Sequence, residues 1–321
     1  MSRRVVARGR EALRAGVYGS AFLRTAIKTG LLAASAKVRY GTNVYERDWD
    51  VLVVLDTCRY DAFAEVAPEF DFLADAAYDS IRSVGSATAE WGANTFVGEY
   101  REEIAETAYV TANGTPQWTM QGERDQFNKI LTDYVDWGMV SPEEFLRLDG
   151  VWEYAPHEPF GGLTLPAAVT DRAIAAHREL EPDRLIAHYM PPHAPYRAGA
   201  LAQNRPLRDY ERDPWEALRS GTDREVVWAA YLDEIRWALE HVETLLRNVD
   251  ADSVVITADH GDLFGEWGLY AHPSGIPHPK LRTVPWVRTT ARNVEDREPR
   301  LSAEEDYERQ ATDQLEKLGY L

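Results

Sequence analysis

The stretch Asp50-Val51-Leu52-Val53-Val54-Leu55-Asp56-Thr57-Cys58-Arg59-Tyr60-Asp61 decides how the chain is read. Its five consecutive apolar residues, three of them β-branched, suit a strand buried on both faces, as inner strands of parallel sheets are. The run stops at a carboxylate, Asp56. A second run, Ser253-Val254-Val255-Ile256-Thr257, leads through Ala258 to Asp259-His260-Gly261. A third, Leu185-Ile186-Ala187-His188-Tyr189, runs into Met190-Pro191-Pro192-His193-Ala194-Pro195-Tyr196. Helical patterns lie between them. Pro166–Leu180 opens on a proline and stays Ala-rich, and residues 223–249 place Val227, Tyr231, Ile235, Leu239, Val242 and Leu246 on one side. Strands alternating with helices predict an α/β fold, a mostly parallel sheet with helices on both faces.

In open α/β sheets, ligands bind beyond the C-terminal ends of the strands. Each of the three runs ends there in polar groups: Asp56 after the first, His188 and His193 with the third, Asp259 and His260 after the second. One Asp after a strand is ordinary turn chemistry. Three such ends, drawn from distant parts of the sequence, point to a shared site. Carboxylates with an imidazole suit a hard-to-borderline cation: Zn²⁺, Mn²⁺, Ca²⁺ or Mg²⁺. Such a cation binds an ester oxygen and acidifies a hydroxyl nucleophile. Ser83-Val84-Gly85-Ser86-Ala87-Thr88 supplies hydroxyls just before a helix-like stretch, residues 89–100. A hydroxyl at a helix N-terminus faces free N–H groups and the positive end of the dipole. Read alone, Thr88 is equally an N-cap.

The chain has 321 residues, 45% of them hydrophobic, enough for one large core. The net charge of −18 is unevenly placed. Residues 1–40 hold nine Arg or Lys against Glu11 alone, a net of +8, which leaves −26 on the rest. So acidic a body repels nucleic acid, and none is expected as a partner. Five of the 35 basic residues are Lys, a balance that resembles halophilic, acidic proteomes. Cys58 is the single cysteine, so neither an intramolecular disulfide nor a cysteine zinc site can form. A cytoplasmic location fits this usage.

No run reaches the roughly 18 apolar residues of a spanning helix. Residues 15–38 are interrupted by Arg24 and Lys28, and residues 15–23 end without a cleavage signal, so no signal peptide is expected. Leu13, Val17, Phe22, Leu23, Ile27, Leu31 and Leu32 recur near helical spacing in residues 1–40, with Arg10, Arg14, Arg24 and Lys28 between. Two readings stand: a basic amphipathic segment on the inner, anionic membrane face, or a helix packed on the domain. Residues 41–321 then form the catalytic domain. Within it, residues 114–165, with Trp118, Trp137 and Trp152, read as an insertion over the sheet edge, part of a substrate pocket or a peripheral helical subdomain.

The motif at residues 50–61 resembles the first motif of the alkaline phosphatase superfamily, in its sulfatase-like branch of sulfatases, phosphodiesterases and phosphoglycerol or phosphoethanolamine transferases. Thr257-Ala258-Asp259-His260-Gly261-Asp262-Leu263-Phe264-Gly265-Glu266 is similar to the branch's second metal motif, SDHGE-x-x-GE. His188-Tyr189-Met190-Pro191-Pro192-His193-Ala194-Pro195-Tyr196 resembles its histidine motif, HxxxPHxPY. Tyr231-Leu232-Asp233-Glu234-Ile235 resembles the helix before the second metal strand. Ala271-His272-Pro273 with Arg282-Thr283-Val284-Pro285 looks like the later histidine and closing strand, and Leu315-Glu316-Lys317-Leu318-Gly319-Tyr320-Leu321 like a common ending. The resemblance spans residues 48–321, with the motifs in family order.

It implies an alkaline-phosphatase-like fold, with Asp56, Asp259 and His260 as metal ligands. Aligning the glycine of the nucleophile segment with Gly98 puts the nucleophile, itself a metal ligand, on Thr88, with Ser86 and Ser83 as second choices. His193 and His272 then contact the oxyanion or protonate the leaving group. His188, His193, His272 and His278 are candidates for a second metal. The departures matter as well. Sulfatases of this branch carry formylglycine made from Cys or Ser, and a threonine cannot become one. Glu90 stands for the motif's Pro, Gly92 for its Arg, and Thr57 for the second Asp of the usual pair. The expectation is therefore a metal-dependent hydrolase or transferase of phosphate esters, with lipid- or glycan-linked esters among the candidate substrates, and with a sulfatase lacking formylglycine or a degenerate metal-binding relative as alternatives.

Overall fold

The computed structural model describes residues 30, 40–74, 76–122, 136–155 and 163–301. The amphipathic segment read within residues 1–40 lies outside the described residues apart from Gly30 and Tyr40, as does the ending at 315–321. So do residues 123–135 and 156–162 of the stretch read as an insertion.

The first apolar run forms β1 (Val51–Leu55), with every residue buried. Its side chains alternate between two cores: Val51, Val53 and Leu55 enter one, Leu52 and Val54 the other. This is the period of two that a pleated strand imposes. The remaining strands are β2 (Ala77–Arg82), β3 (Thr107–Thr111), β4 (Arg147–Gly150), β5 (Arg184–Tyr189), β6 (Ala251–Thr257), β7 (Leu263–Phe264), β8 (Tyr270–Ala271) and β9 (Thr283–Ala291). Seven form one sheet in the order β2-β9-β6-β1-β5-β3-β4, and β7 and β8 pair separately. β1 is parallel to both β5 and β6. β3 is parallel to β4 and β5. Only β9, between β2 and β6, runs antiparallel to its neighbours. The sheet is thus mixed and mostly parallel, as the alternation of elements predicts.

Four helices matter for the site: α1 (Tyr60–Val66), α2 (Thr88–Thr95), α3 (Pro166–Leu180) and α4 (Arg224–Leu246). Ala62 and Phe63 of α1, Val169 and Ile174 of α3, and Tyr231 and Ile235 of α4 share a core with Val53. Trp91 of α2 packs on the other face, with Leu52, Phe96 and Tyr109. Helices therefore cover both faces. α3 starts with Pro166, whose missing N–H costs nothing in a first turn. α4 is capped by Asp223, whose carboxylate accepts from the Glu225 amide at 3.0 Å. Among the described residues, no helix is long and apolar enough to cross a membrane.

β2 and β3 escape the sequence reading. β2 is an edge strand with no buried residue, so it lacks an apolar face to read. β4 lies within residues 114–165 and pairs with β3, so part of that stretch belongs to the main sheet. It is tied to α3 by a buried cluster. Arg172 Nε donates to Asp149 Oδ2 at 2.9 Å, and Tyr154 Oη to Asp149 Oδ1 at 2.7 Å.

Breaking a buried ion pair leaves an uncompensated charge and costs about 3–5 kcal/mol. Arg172→Met is expected to destabilise the protein by about 3 kcal/mol in urea unfolding, because Asp149 stays buried without its cation. A loss under about 1 kcal/mol would show that the pair does not hold β4 to the body.

Candidate active site

β6, β1 and β5 are adjacent and parallel, so their C-terminal ends open on one edge of the sheet. Asp56 follows β1 directly, and Asp259 and His260 follow β6. All three are fully buried. One ligand atom from each lies within 4.8 Å of the others. The backbone fixes Asp259. Thr57 turns the chain with φ of 66° and aims its amide at Asp259 Oδ1, 3.0 Å away. The His260 amide donates to the same oxygen at 2.8 Å. Asp56 is held by Asn113, whose Nδ2 donates to Oδ2 at 2.5 Å.

What these bonds leave over defines the chemistry. Asp56 Oδ1 and Asp259 Oδ2 are buried with no hydrogen-bond partner. His260 Nδ1 lies 2.9 Å from the Gly261 carbonyl, which can only accept, so this nitrogen carries the proton. His260 Nε2 therefore turns a lone pair toward Asp259 Oδ2 at 3.2 Å and Asp56 Oδ1 at 4.0 Å. Burial raises the Asp56 carboxyl well above its usual range, and the neighbouring Asp259 adds to this. Burial raises Asp259 too, and it pushes the His260 imidazole well down, with His272 adding to the effect. Two buried carboxylate oxygens without a donor, beside an imidazole lone pair that meets only the Thr88 hydroxyl, are what a divalent cation would satisfy. Two carboxylate oxygens and an imidazole nitrogen suit Zn²⁺ or Mn²⁺ better than Ca²⁺.

Thr88 is the first residue of α2, and its Oγ1 lies 3.2 Å from His260 Nε2. The N-cap position belongs to Ala87, so the Thr88 hydroxyl has no capping duty. The other two hydroxyls are engaged elsewhere. Ser83 Oγ donates to the Asp259 carbonyl. Ser86 Oγ bonds Glu90 Oε2 at 2.8 Å and the Pro273 carbonyl at 3.1 Å.

Glu90, notable in the sequence only as a departure from a motif, proves central here. Its Oε2 accepts from the amides of Ser86 and Gly275, both at 3.0 Å, and its Oε1 from Arg282 Nη2 at 2.6 Å. Arg282 Nη1 also reaches the Ser83 carbonyl at 3.4 Å. This buried clasp joins the Thr88 loop to the segment carrying His272. No local pattern announces it, because its partners lie over 180 residues away.

The histidines divide into two groups. His272 sits 4.8 Å from His260 and 5.2 Å from His193, ring centre to ring centre. Burial disfavours its charged form, yet Asp262 Oδ1, 3.2 Å from Nδ1, raises it overall. His193 is pushed down to about 3 by burial and by His272. His188 is pushed down to about 4 by burial, with Nδ1 against Tyr109 Oη at 2.8 Å and Nε2 4.0 Å from Asp56 Oδ2. His278 stands apart. It stacks edge-on to Trp267 at 4.3 Å, and its Nδ1 accepts from the Lys280 amide at 3.0 Å. Asn113, Glu90 and the pairing of Asp262 with His272 are the site features that sequence reasoning missed.

No protein-family model matches the chain, and no curated protein does. Solved structures do. The soluble domain of lipooligosaccharide phosphoethanolamine transferase A from Neisseria meningitidis is 16% identical, with 75% of this chain and 76% of that one covered at a TM-score of 0.46. The zinc complex of the C-terminal periplasmic domain of EptC from Escherichia coli is 13% identical, covering 84% and 80%, TM-score 0.47. A putative sulfatase from Bacteroides thetaiotaomicron is 13% identical, covering 75% and 64%, TM-score 0.43.

The mutual repulsion of the two buried carboxylates has a consequence for stability. An acid raised in the folded state binds its proton more tightly there, so folding weakens as pH rises above the ordinary value of 3.8. In chelator-treated protein, Asp56→Asn is expected to raise the melting temperature at neutral pH, with the gain vanishing as pH falls toward 4. Added Zn²⁺ or Mn²⁺ should reverse the order, stabilising the parent chain more than the variant. Equal melting curves under all these conditions would remove the repulsion argument.

Proposed function

We propose that the chain is a divalent-metal-dependent enzyme that cleaves or transfers phosphate-type esters, with Thr88 as nucleophile. One observation carries the reading: the Thr88 hydroxyl, free of capping, lies 3.2 Å from His260 Nε2 beside two orphaned carboxylate oxygens. Asp56, Asp259 and His260, joined by Thr88, would hold the cation. When bound, it supplies positive charge that offsets the two carboxylates and stabilises negative charge developing on the ester.

The protein's own groups do the rest. Thr88 loses its hydroxyl proton to solvent, and Oγ1 attacks phosphorus. The new P–O bond forms as the bond to the leaving oxygen breaks, giving phosphothreonine. The N-terminal turn of α2 faces the charge on this group with its N–H dipoles. His272, whose imidazole Asp262 raises, would give its proton to the departing oxygen, with the lowered His193 beside it. The neutral His272 then takes a proton from water or an acceptor alcohol, whose oxygen displaces Thr88. Thr88→Ala removes the attacking atom, and the Glu90–Arg282 clasp sets where that atom sits. The basic segment at residues 1–40, net +8, suits a lipid- or glycan-linked substrate at an anionic surface.

Aryl phosphate, aryl phosphodiester and aryl sulfate esters, each assayed with added Zn²⁺ or Mn²⁺ at high salt, test the reaction class. Turnover is expected on a phosphate ester and not on the sulfate. Thr88→Ala should cut kcat by at least 10³-fold, an effect on the order of losing a covalent nucleophile, with an unchanged melting temperature. Full activity in that variant would reject the mechanism. His272→Gln should slow alkyl esters far more than nitrophenyl esters, because only poor leaving groups need the proton. Equal slowing of both would take His272 out of the acid's role.

A further inference from the structure

The acidic body carries a basic hollow on the β2 edge of the sheet. Arg47, Arg82 and Arg288 line a cavity of about 350 Å³ with Thr42, Asp79 and Trp286. All three arginines are exposed, in a body of net charge −26. Arginines elsewhere on this surface mostly pair with carboxylates, as Arg236 does with Glu69 and Arg247 with Glu295. Among the described residues, none of these three makes an ion pair. Asp79, the acid in the lining, instead accepts the Ser80 amide at 2.7 Å. Three guanidinium forks against the single carboxylate of Asp79 leave the hollow net positive, a binding arrangement for phosphate oxygens.

The location names the partner. Arg82 lies 4.4 Å from the ring centre of Tyr40, and the Thr42 amide donates to the Arg82 carbonyl at 2.8 Å. The hollow therefore adjoins the point where the basic stretch of residues 1–40, net +8, enters the fold. Tyr40 is itself 47% exposed, an aromatic with a polar tip of the kind that favours a membrane interface. Arg47 precedes β1, and Arg288 pairs with the first residue of β2, so both sit toward the end of the sheet opposite Asp56. Arg82 instead ends β2 on the Asp56 side, one residue before Ser83, so the hollow reaches from the far end of the sheet toward the candidate active site. Arg47 and Arg288 lie away from Thr88, and their role does not depend on the reading of Thr88.

We infer that Arg47, Arg82 and Arg288 form a docking site for the phosphate headgroups of an anionic lipid surface. Each basic residue near such a surface is worth about 1 kcal/mol, or about fivefold in partition. The test is co-sedimentation of the full chain with phosphatidylcholine vesicles, with and without phosphatidylglycerol. Arg47→Ala combined with Arg288→Ala should weaken binding to the anionic vesicles about 25-fold. Turnover of a soluble ester should not change. The control is Arg212→Ala with Arg219→Ala, which changes net charge equally on another surface. The control pair should bind nearly as well as the parent chain, and Arg47→Lys with Arg288→Lys should restore binding. Equal weakening by both alanine pairs would mean diffuse attraction and overturn the inference. So would binding unaffected by either pair. Inorganic phosphate is titrated into the protein without vesicles as a separate arm. Binding there that the Arg47/Arg288 pair abolishes, together with unaffected vesicle binding, would mean a soluble-anion pocket and would likewise overturn it.

Discussion

Two buried carboxylates face each other at the ends of neighbouring strands, and the rest of the site is built around keeping them there. Asp56 and Asp259 repel, and both are buried away from the screening of bulk solvent. The backbone supplies the restraint: two amides on one oxygen of Asp259, and Asn113 on one oxygen of Asp56. Each carboxylate is half satisfied and half open. That division is what makes the pair a receptor for positive charge, since a fully bonded pair would be inert packing.

Around this pair the fold applies the same device at longer range. The Glu90–Arg282 clasp is another buried charge pair, but here the opposite charges meet and every oxygen is used. Its work is positional. It holds the start of α2 against the segment that carries His272, so groups from four separate stretches of sequence share one small volume. Asp262 completes the set by raising the His272 imidazole, while burial lowers those of His193 and His188.

The central architecture was legible in the sequence because strands buried on both faces must be continuously apolar. The Val51–Leu55 run, the Ser253–Thr257 run and the Leu185–Tyr189 run turned out to be β1, β6 and β5, side by side. The polar residues at their ends then had to share an edge. What stayed hidden had physical reasons. β2 has no buried face and so no hydrophobic period. Asn113 lies after β3, a strand whose Thr107-Ala108-Tyr109-Val110-Thr111 sequence mixes apolar with hydroxyl residues, so nothing marked its end as special. Glu90 sits in a first helical turn, where an acid is common for dipole reasons alone.

The parallel pairing of β1 with β5 and β6 also sets when the site can come into being. Parallel neighbours cannot be joined by a tight turn, so Asp56 waits for partners encoded far downstream: Leu55 pairs with Tyr189, and Val54 with Thr257. A growing polypeptide that has not yet delivered residues 251–260 to the sheet therefore has no cation pocket, only a lone Asp at the end of an unfinished strand pair. Any cation bound there would in this way arrive late, gated by completion of the middle of the sheet, and an immature chain would not yet hold the three ligands together.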